Sequence, residues 1–293
     1  MHRIRHKEGG AASRRLASRA PLRRLAASLA AVTLLGAVPA IASATSVITI
    51  SGATASYPLV ELLAHKYVKL LHNKISFRIS QGGAQIGVGD VAAGRVTIGD
   101  VSRDPLPTDP PGLVFYPIAK YAICVVTNKS NTLSNLTEAQ VQAIFTGKDR
   151  EWSQVPGATA TGPIDIISRT STAGVLTNFK TLFLANKSVS KLAAEEPSEG
   201  LLEQQVQNTP GAIGFLSNYR ADNGLVNPVG FNGVACNLAN ATSGQYSAVA
   251  RFYEVTKGPA TGAASKFISW IDTSKAAKKI ISSEWIPLSE APR

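Results

Sequence analysis

One arginine and four hydroxyls crowd a single junction, Ser168-Arg169-Thr170-Ser171-Thr172. Ahead of it, residues 164–167 form a short apolar run. Behind it, Val175, Leu176, Phe179, Leu182 and Phe183 recur at helical spacing. The pattern predicts a buried strand running directly into a helix. The first turn of a helix leaves backbone N–H groups unpaired and carries partial positive charge. Such a junction can receive an oxyanion, with Arg169 as the full charge and the hydroxyls as neutral donors. A plainer reading makes Thr172 an N-cap and Arg169 a surface charge, and the junction alone does not separate the two.

Two further stretches repeat the design. Residues 47–50 are a β-branched run that enters Ser51-Gly52-Ala53-Thr54-Ala55-Ser56 and then a helix with Leu59, Leu62, Leu63, Tyr67, Leu70 and Leu71 on one face, with Pro58 in its first turn. Ile75, Phe77 and Ile79 alternate as a strand does and lead into Gln81-Gly82-Gly83-Ala84-Gln85-Ile86-Gly87 and a short helix ending near Ala93. Small residues let a ligand approach the backbone, and in open α/β sheets ligands sit at the carboxyl ends of strands. Three such loops and one arginine suit a tetrahedral oxyanion held mainly by hydrogen bonds. Short strands alternate with helices along the chain, so the expected fold class is α/β.

The elements between these loops are read with varying clarity. Residues 96–101 (VTIGDV) form a strand that ends at Ser102-Arg103-Asp104 and a proline-rich loop. Asp100 and Asp104 read as solvated loop acids, and Arg103 as the partner of a loop acid. Residues 113–116 and 121–127 read as two strands. Thr137 and Gln140 form a capping box, Leu136 and Val141 a hydrophobic staple, and Gly147 a stop, which together fix a helix. A helix around 201–207 and a strand at 211–217 follow. Residues 252–257, 263–271 and 274–281 are expected to close the chain as mostly helical elements.

Composition narrows the function classes. The formal net charge is +11, but the first 44 residues hold eight Lys/Arg and a single acid, so +7 of it lies there. That segment reads as an export signal: a basic start, an apolar stretch over 25–42, and Ala42-Ser43-Ala44 in A-x-A spacing, with Val38-Pro39-Ala40 as a second choice. Cleavage after Ala44 would begin the mature chain at Thr45; an uncleaved anchor is the other reading. Arg14-Arg15 and Arg23-Arg24 admit a twin-arginine route as well as ordinary secretion. No cysteine lies near the end of the apolar stretch, so no lipid anchor is indicated. With the basicity concentrated in a removable segment, nucleic acid is not an expected partner. Cys124 and Cys236 fit either a disulfide of an exported protein or two buried thiols. His65 and His72 sit seven residues apart on the same expected helix, about two turns at ~1.5 Å per residue, which one metal cannot bridge; no metal or cofactor site is read. No G-x-S-x-G elbow and no acid pair placed for general acid–base work is present, so no catalytic residues are assigned.

SGATASYPL, GGAQIGVGDVAAGRVTIGDVSR, LTEAQVQAIFTGKDREW, ISRTSTAG and NTPGAIGF stand in the order and spacing seen in phosphate-binding proteins of ABC importers, which the chain resembles from Val47 onward. The resemblance implies a type II periplasmic-binding-protein-like fold: two α/β lobes, joined by crossing segments, with inorganic phosphate or a similar oxyanion in the cleft. It implies a first lobe over 45–118, a second over 119–228 and a return over 229–293. It further implies a monomer that is periplasmic or secreted and delivers its anion to an ABC permease. Carried over by position, the binding loops are Ala53, Thr54 and Ala55; Gly83, Ala84 and Gln85; Ser102; Arg169; and Ala173 and Gly174, which with Val175 replace a serine-glycine-threonine motif. Ala84 likewise replaces a serine. Ser171 and Thr172 lie just before and are expected to supply hydroxyls in their place. The alternative on the same fold is a secreted or surface interaction protein that has lost or changed its anion.

Overall fold

The computed structural model describes residues 46–289. The expected export segment and its cleavage point after Ala44 lie outside them. The chain opens with β1 (Ser46–Gly52), α1 (Tyr57–Leu70), β2 (Ile75–Gln81), α2 (Ala84–Ala92) and β3 (Ile98–Val101). Then comes β4 (Leu113–Thr127), a single 15-residue strand where two were expected. Beyond it lie β5 (Asn135–Leu136), α3 (Glu138–Phe145), β6 (Asp165–Arg169), α4 (Gly174–Phe183), β7 (Ala194–Glu196), α5 (Glu199–Asn208) and β8 (Ala212–Ser217). The rest is α6 (Asn218–Ala221), β9 (Asn227–Phe231), α7 (Leu238–Thr242), β10 (Val249–Lys257), α8 (Gly262–Thr273) and α9 (Lys275–Glu284).

The main path through the sheet runs β2-β1-β3-β10-β4-β8-β6-β7. β1 pairs in parallel with β2 and β3, and β6 pairs in parallel with β7 and β8. These two parallel groups are the sheets of two lobes. β10 and β4, antiparallel to each other, carry the chain between them. β4 pairs with β10 over its first part and with β8 and β9 over its last. Pro228 lies opposite Val126 in the β9–β4 ladder, on the β8 side of the crossing, and β10 is the strand that lies against β3.

β10 corrects the helical expectation for 252–257. Phe252, Glu254 and Thr256 alternate with Tyr253, Val255 and Lys257, and a ladder on each edge outweighs the local composition. Where β10 meets β4 the register shifts between Phe252 and Tyr253, so that Phe252 faces Ala119 and Tyr253 faces Pro117. A proline has no N–H to give a ladder, and a bulge is where a sheet tolerates it. The ring of Tyr121 stacks on Phe252 beside this bulge, with centroids 4.1 Å apart.

The helices that follow the first and third expected loops are packed into the core. α4 has Phe179 in the middle of an aromatic cluster: stacked on Phe215 of β8 at 4.0 Å, on Phe183 at 4.9 Å, and edge-on to Phe145 of α3 at 4.7 Å. α3 has the expected capping box between Thr137 and Gln140. α1 packs Leu59, Val60, Leu63, Ala64 and Tyr67 against the first lobe's sheet. His72, expected on that helix, falls in the turn beyond it at φ 48. Cys124 of β4 and Cys236 are bonded, with Cα atoms 5.6 Å apart, which settles the pair as a disulfide.

Replacing Phe179 by Ala should cost about 3–5 kcal/mol in denaturant unfolding, because the site can collapse little around a missing ring. Reduction of the Cys124–Cys236 bridge, which spans 112 residues, should lower stability by about 4–5 kcal/mol on loop-closure grounds; paired denaturation curves with and without reductant would read it, and an unchanged midpoint would contradict it.

Candidate oxyanion site between the lobes

The three expected loops meet. Arg169 closes β6 and is 1% exposed. Its guanidinium crosses to the other lobe, where Nη2 donates to Thr54 Oγ1 at 3.0 Å. Nη2 also donates to the Pro197 carbonyl at 3.0 Å, and Nε to the Glu196 carbonyl at 3.0 Å. Nη1 is buried and has no hydrogen-bond partner. Thr54 Oγ1 in turn accepts from the Glu199 amide at 3.3 Å. The surface-charge reading of Arg169 is therefore wrong: the side chain is interior and braced by neutral oxygens.

The second loop docks on the third in the same way. The Gln85 amide donates to the Thr172 carbonyl at 3.0 Å, and Thr172 Oγ1 donates to the Gly82 carbonyl at 3.1 Å. Gly83, at φ 100, could carry no side chain here: a Cβ would lie 2.7 Å from the Thr172 carbonyl oxygen and 2.8 Å from its Oγ1. A Cβ on Gly174 would lie 2.7 Å from Ser102 Oγ and 2.9 Å from Ala84 Cβ. Gly174, Ser102 and Ala84 thus converge across the cleft.

The three expected loops lead into three helices, α1, α2 and α4. None has a side-chain cap on its first turn, whereas α3, α5 and α9 are capped by Thr137, Ser198 and Ser274. Ser56, which precedes α1, spends its hydroxyl on Asp100 at 2.6 Å. The uncapped first turns of these helices keep their partial positive charge, and they follow the three loops that meet near Arg169, whose Nη1 is buried without a partner.

The expected residues divide into those buried where the loops meet and those that are not. Ala53, Thr54, Ala55, Gly83, Ala84, Ser102, Arg169, Ala173 and Gly174 are all buried together. Ser171 is exposed on the outside of the turn. The Thr172 hydroxyl is turned to Gly82 and Thr170. The Gln85 side chain is exposed and accepts from Arg103. Arg103 pairs with a loop acid as expected, Asp109, at 2.6 Å, and is 2% exposed. Asp104 is solvent-facing and accepts from Tyr253 Oη. Asp100 contradicts its reading as a solvated loop acid: it is buried in β3, and alternation hides which face of a four-residue strand is covered.

Two residues were not anticipated. Asn178, one turn into α4, donates to the Ser102 carbonyl at 2.7 Å, and Tyr121 Oη donates to the same oxygen at 2.9 Å. Asn178 thereby ties the Ser102 main chain to the second lobe, and Tyr121 braces the same oxygen from β4. Glu199 is buried near Arg169 and accepts from the Ser217 amide at 3.0 Å and from its hydroxyl at 2.6 Å. Burial raises the Glu199 carboxyl, with Arg169 opposing; burial lowers Arg169, with Glu199 opposing. Neither position carries a local motif that would flag it in sequence.

A family model described as a PBP superfamily domain matches residues 39–274. The phosphate-binding protein PstS of Bacillus subtilis (strain 168) is 26% identical over 254 residues, covering 83% of this chain and 81% of that protein. Protein SphX of Synechococcus elongatus is 26% identical over 260 residues, covering 82% and 74%. Among solved structures, a phosphate ABC transporter substrate-binding protein from Clostridium perfringens with bound phosphate superposes with a TM-score of 0.77 at 26% identity, covering 83% of this chain and all of that one. An ABC-type phosphate transport receptor from Vibrio cholerae, at 24% identity and a TM-score of 0.66, covering 82% of this chain and 99% of its own, shares the fold.

Gly174→Ala should be costly despite adding one methyl, because Ser102 and Ala84 occupy its space from the opposite lobe. Overpacking of about 1–3 kcal/mol is expected in denaturant unfolding; a variant as stable as the parent would show that the two lobes do not press together there.

Proposed function

The chain belongs to the PBP superfamily, and from that membership we propose that it captures inorganic phosphate or a related tetrahedral oxyanion between its lobes and delivers it to an ABC permease. The observation that carries this reading is Arg169. A guanidinium buried to 1% exposure, braced on Nε and Nη2 and without a partner on Nη1, is a cation prepared for an anion. The uncapped first turns of α1, α2 and α4 supply amides around it, and Ser102 supplies a hydroxyl that can donate or accept. The names of the relatives, which include a structure with bound phosphate, support the same class of ligand.

The lobes we assign are 46–122 with 249–289, and 123–248, meeting where β4 and β10 cross. This moves the return from Pro228 to the start of β10, because β9 pairs with the second-lobe end of β4. The capture is non-catalytic, the protein acts as an exported monomer, and the anion arrives when the lobes close. Ala84 and Ala173 put methyl groups where relatives of this kind are expected to put hydroxyls, so main-chain amides do more of the binding. Those two alanines also favour the second reading, an exported interaction protein that has changed its ligand.

Isothermal titration of the metal-free exported form with phosphate, sulfate and arsenate distinguishes the two. One phosphate per chain is expected, and no heat from any of the three would leave the second reading. Arg169→Ala should weaken binding about 10- to 100-fold, the value of a charge-assisted hydrogen bond. Ser171→Ala should change it by no more than about twofold, since an exposed hydroxyl makes only solvent-screened contacts. If Ser171→Ala were the more damaging, the site would lie outside the cradle described above.

A further inference from the structure

Asp100 holds both ends of the 53–56 loop. Its main-chain oxygen accepts from the Ala53 amide at 2.9 Å, and its side-chain Oδ1 accepts from Ser56 Oγ at 2.6 Å. The packing around it is tight. A Cβ on Gly52 would lie 1.9 Å from the Asp100 carbonyl oxygen, and one on Gly87 2.9 Å from it.

Directly opposite Asp100 in the β3–β10 ladder stands Glu254. It is fully buried, and neither of its carboxylate oxygens has a hydrogen-bond partner. Two carboxylates facing each other across a strand pair repel, and an unpaired buried charge is expensive. The neighbouring elements bring no relief. β4 places Tyr116 opposite Glu254, and the Tyr116 hydroxyl accepts from the Ala260 amide. On α1, Glu61, His65, Lys66 and Lys69 are exposed, and the buried Tyr67 packs with Phe77, Phe267 and Trp270. On α8 and α9, Lys266, Asp272, Lys275, Lys278 and Lys279 are exposed. On α2, Asp90 is bonded to Ser51 and Arg95. Farther along β4, Lys120 lines a hollow with Asp104 and Arg251, and Tyr121 is bonded to Ser102. Among the described residues, neither Asp100 nor Glu254 has an ion-pair partner.

We propose that Asp100 and Glu254 share a proton in the folded protein and that this proton positions the 53–56 loop, so that its loss loosens the loop, puts a second negative charge behind the cradle and weakens anion capture. The last clause rests on the oxyanion reading above; the first two do not. Burial raises the Asp100 carboxyl to about 7, with Ser56 opposing, and burial together with the Asp100 charge raises Glu254 well above the ordinary carboxylate range. Both shifts mean that the folded state binds protons more tightly than the unfolded one. The associated stability is present at acid pH and is lost as pH rises from the ordinary carboxylate range through the folded values.

The test compares the parent with Glu254→Gln and Asp100→Asn, each of which removes one of the facing charges while keeping its shape. Melting temperature without anion is followed from pH 5 to pH 9, and exchange protection of the amides over 51–57, corrected for intrinsic rates, at the same pH values. The parent should lose several degrees and loop protection across this range, and Glu254→Gln should lose clearly less of both. Asp100→Asn serves if Glu254→Gln does not fold. Phosphate titration adds the functional arm: the affinity of the variant relative to the parent should rise severalfold between pH 6 and pH 8, a ratio in which phosphate's own titration cancels. Parallel melting profiles overturn the shared proton, and pH-independent loop protection overturns the link to the loop. Absence of phosphate binding by the parent removes the oxyanion reading, while melting and exchange still decide the pair.

Discussion

A full positive charge buried without a carboxylate bonded to it is the constraint around which this molecule is arranged. Desolvating a guanidinium is expensive, and the usual remedy is an ion pair. Arg169 instead rests on three neutral oxygens, Thr54 Oγ1 and the carbonyls of Glu196 and Pro197. The nearest carboxylate, Glu199, is turned to Ser217. Two of the three oxygens come from the end of β7 and the residue after it, and β7 pairs in parallel with β6. The third comes from the other lobe. Holding this charge in place therefore recruits β7, the first turn of α5 and the loop before α1, elements far apart in sequence.

The three helices that follow the expected loops, α1, α2 and α4, lack side-chain caps. A cap there would satisfy the amides and cancel the local field. Ser56 is a residue type well suited to capping, yet its hydroxyl is drawn away to Asp100. Thr172 could cap α4 but bonds to Gly82, and Ala173 takes the capping position. α3 and α9 take the ordinary solution of a side-chain cap, and so does α5, whose first turn meets Thr54, while α8 begins uncapped.

Local chemistry made part of this legible in the sequence. A capping box, a staple and a stop glycine fix α3 without any tertiary information. Glycine loops between an apolar run and a helical pattern located all three arms of the cradle. What stayed hidden depends on contacts between distant residues. Nothing near Thr54 announces a bond to Arg169, 115 positions away. The side of β3 that Asp100 faces is decided by α1 lying over it, and four residues of alternation cannot tell an outward acid from an inward one. β10 has a strand's alternation diluted by charged residues, and only its two flanking ladders make it a strand. Ser171 and Thr172 illustrate the reverse error: the right residue types stand at the right place in the chain, but a turn points one outward and the other sideways.

The bulge in the β4–β10 ribbon has a mechanical meaning. Everything that passes between the lobes in the sheet passes through these two antiparallel strands, and their ladder is interrupted between Phe252 and Tyr253, beside Pro117. A ribbon flexes where its hydrogen bonding is already broken, so the compliant point is a fixed place in the backbone. The stacked rings of Tyr121 and Phe252 sit at that point. Tyr121 also holds Ser102, so motion at the pivot is felt directly in the cradle. Under the proposed capture of an anion, the stiffness of this joint would bear on residence time alongside the bonds the anion makes.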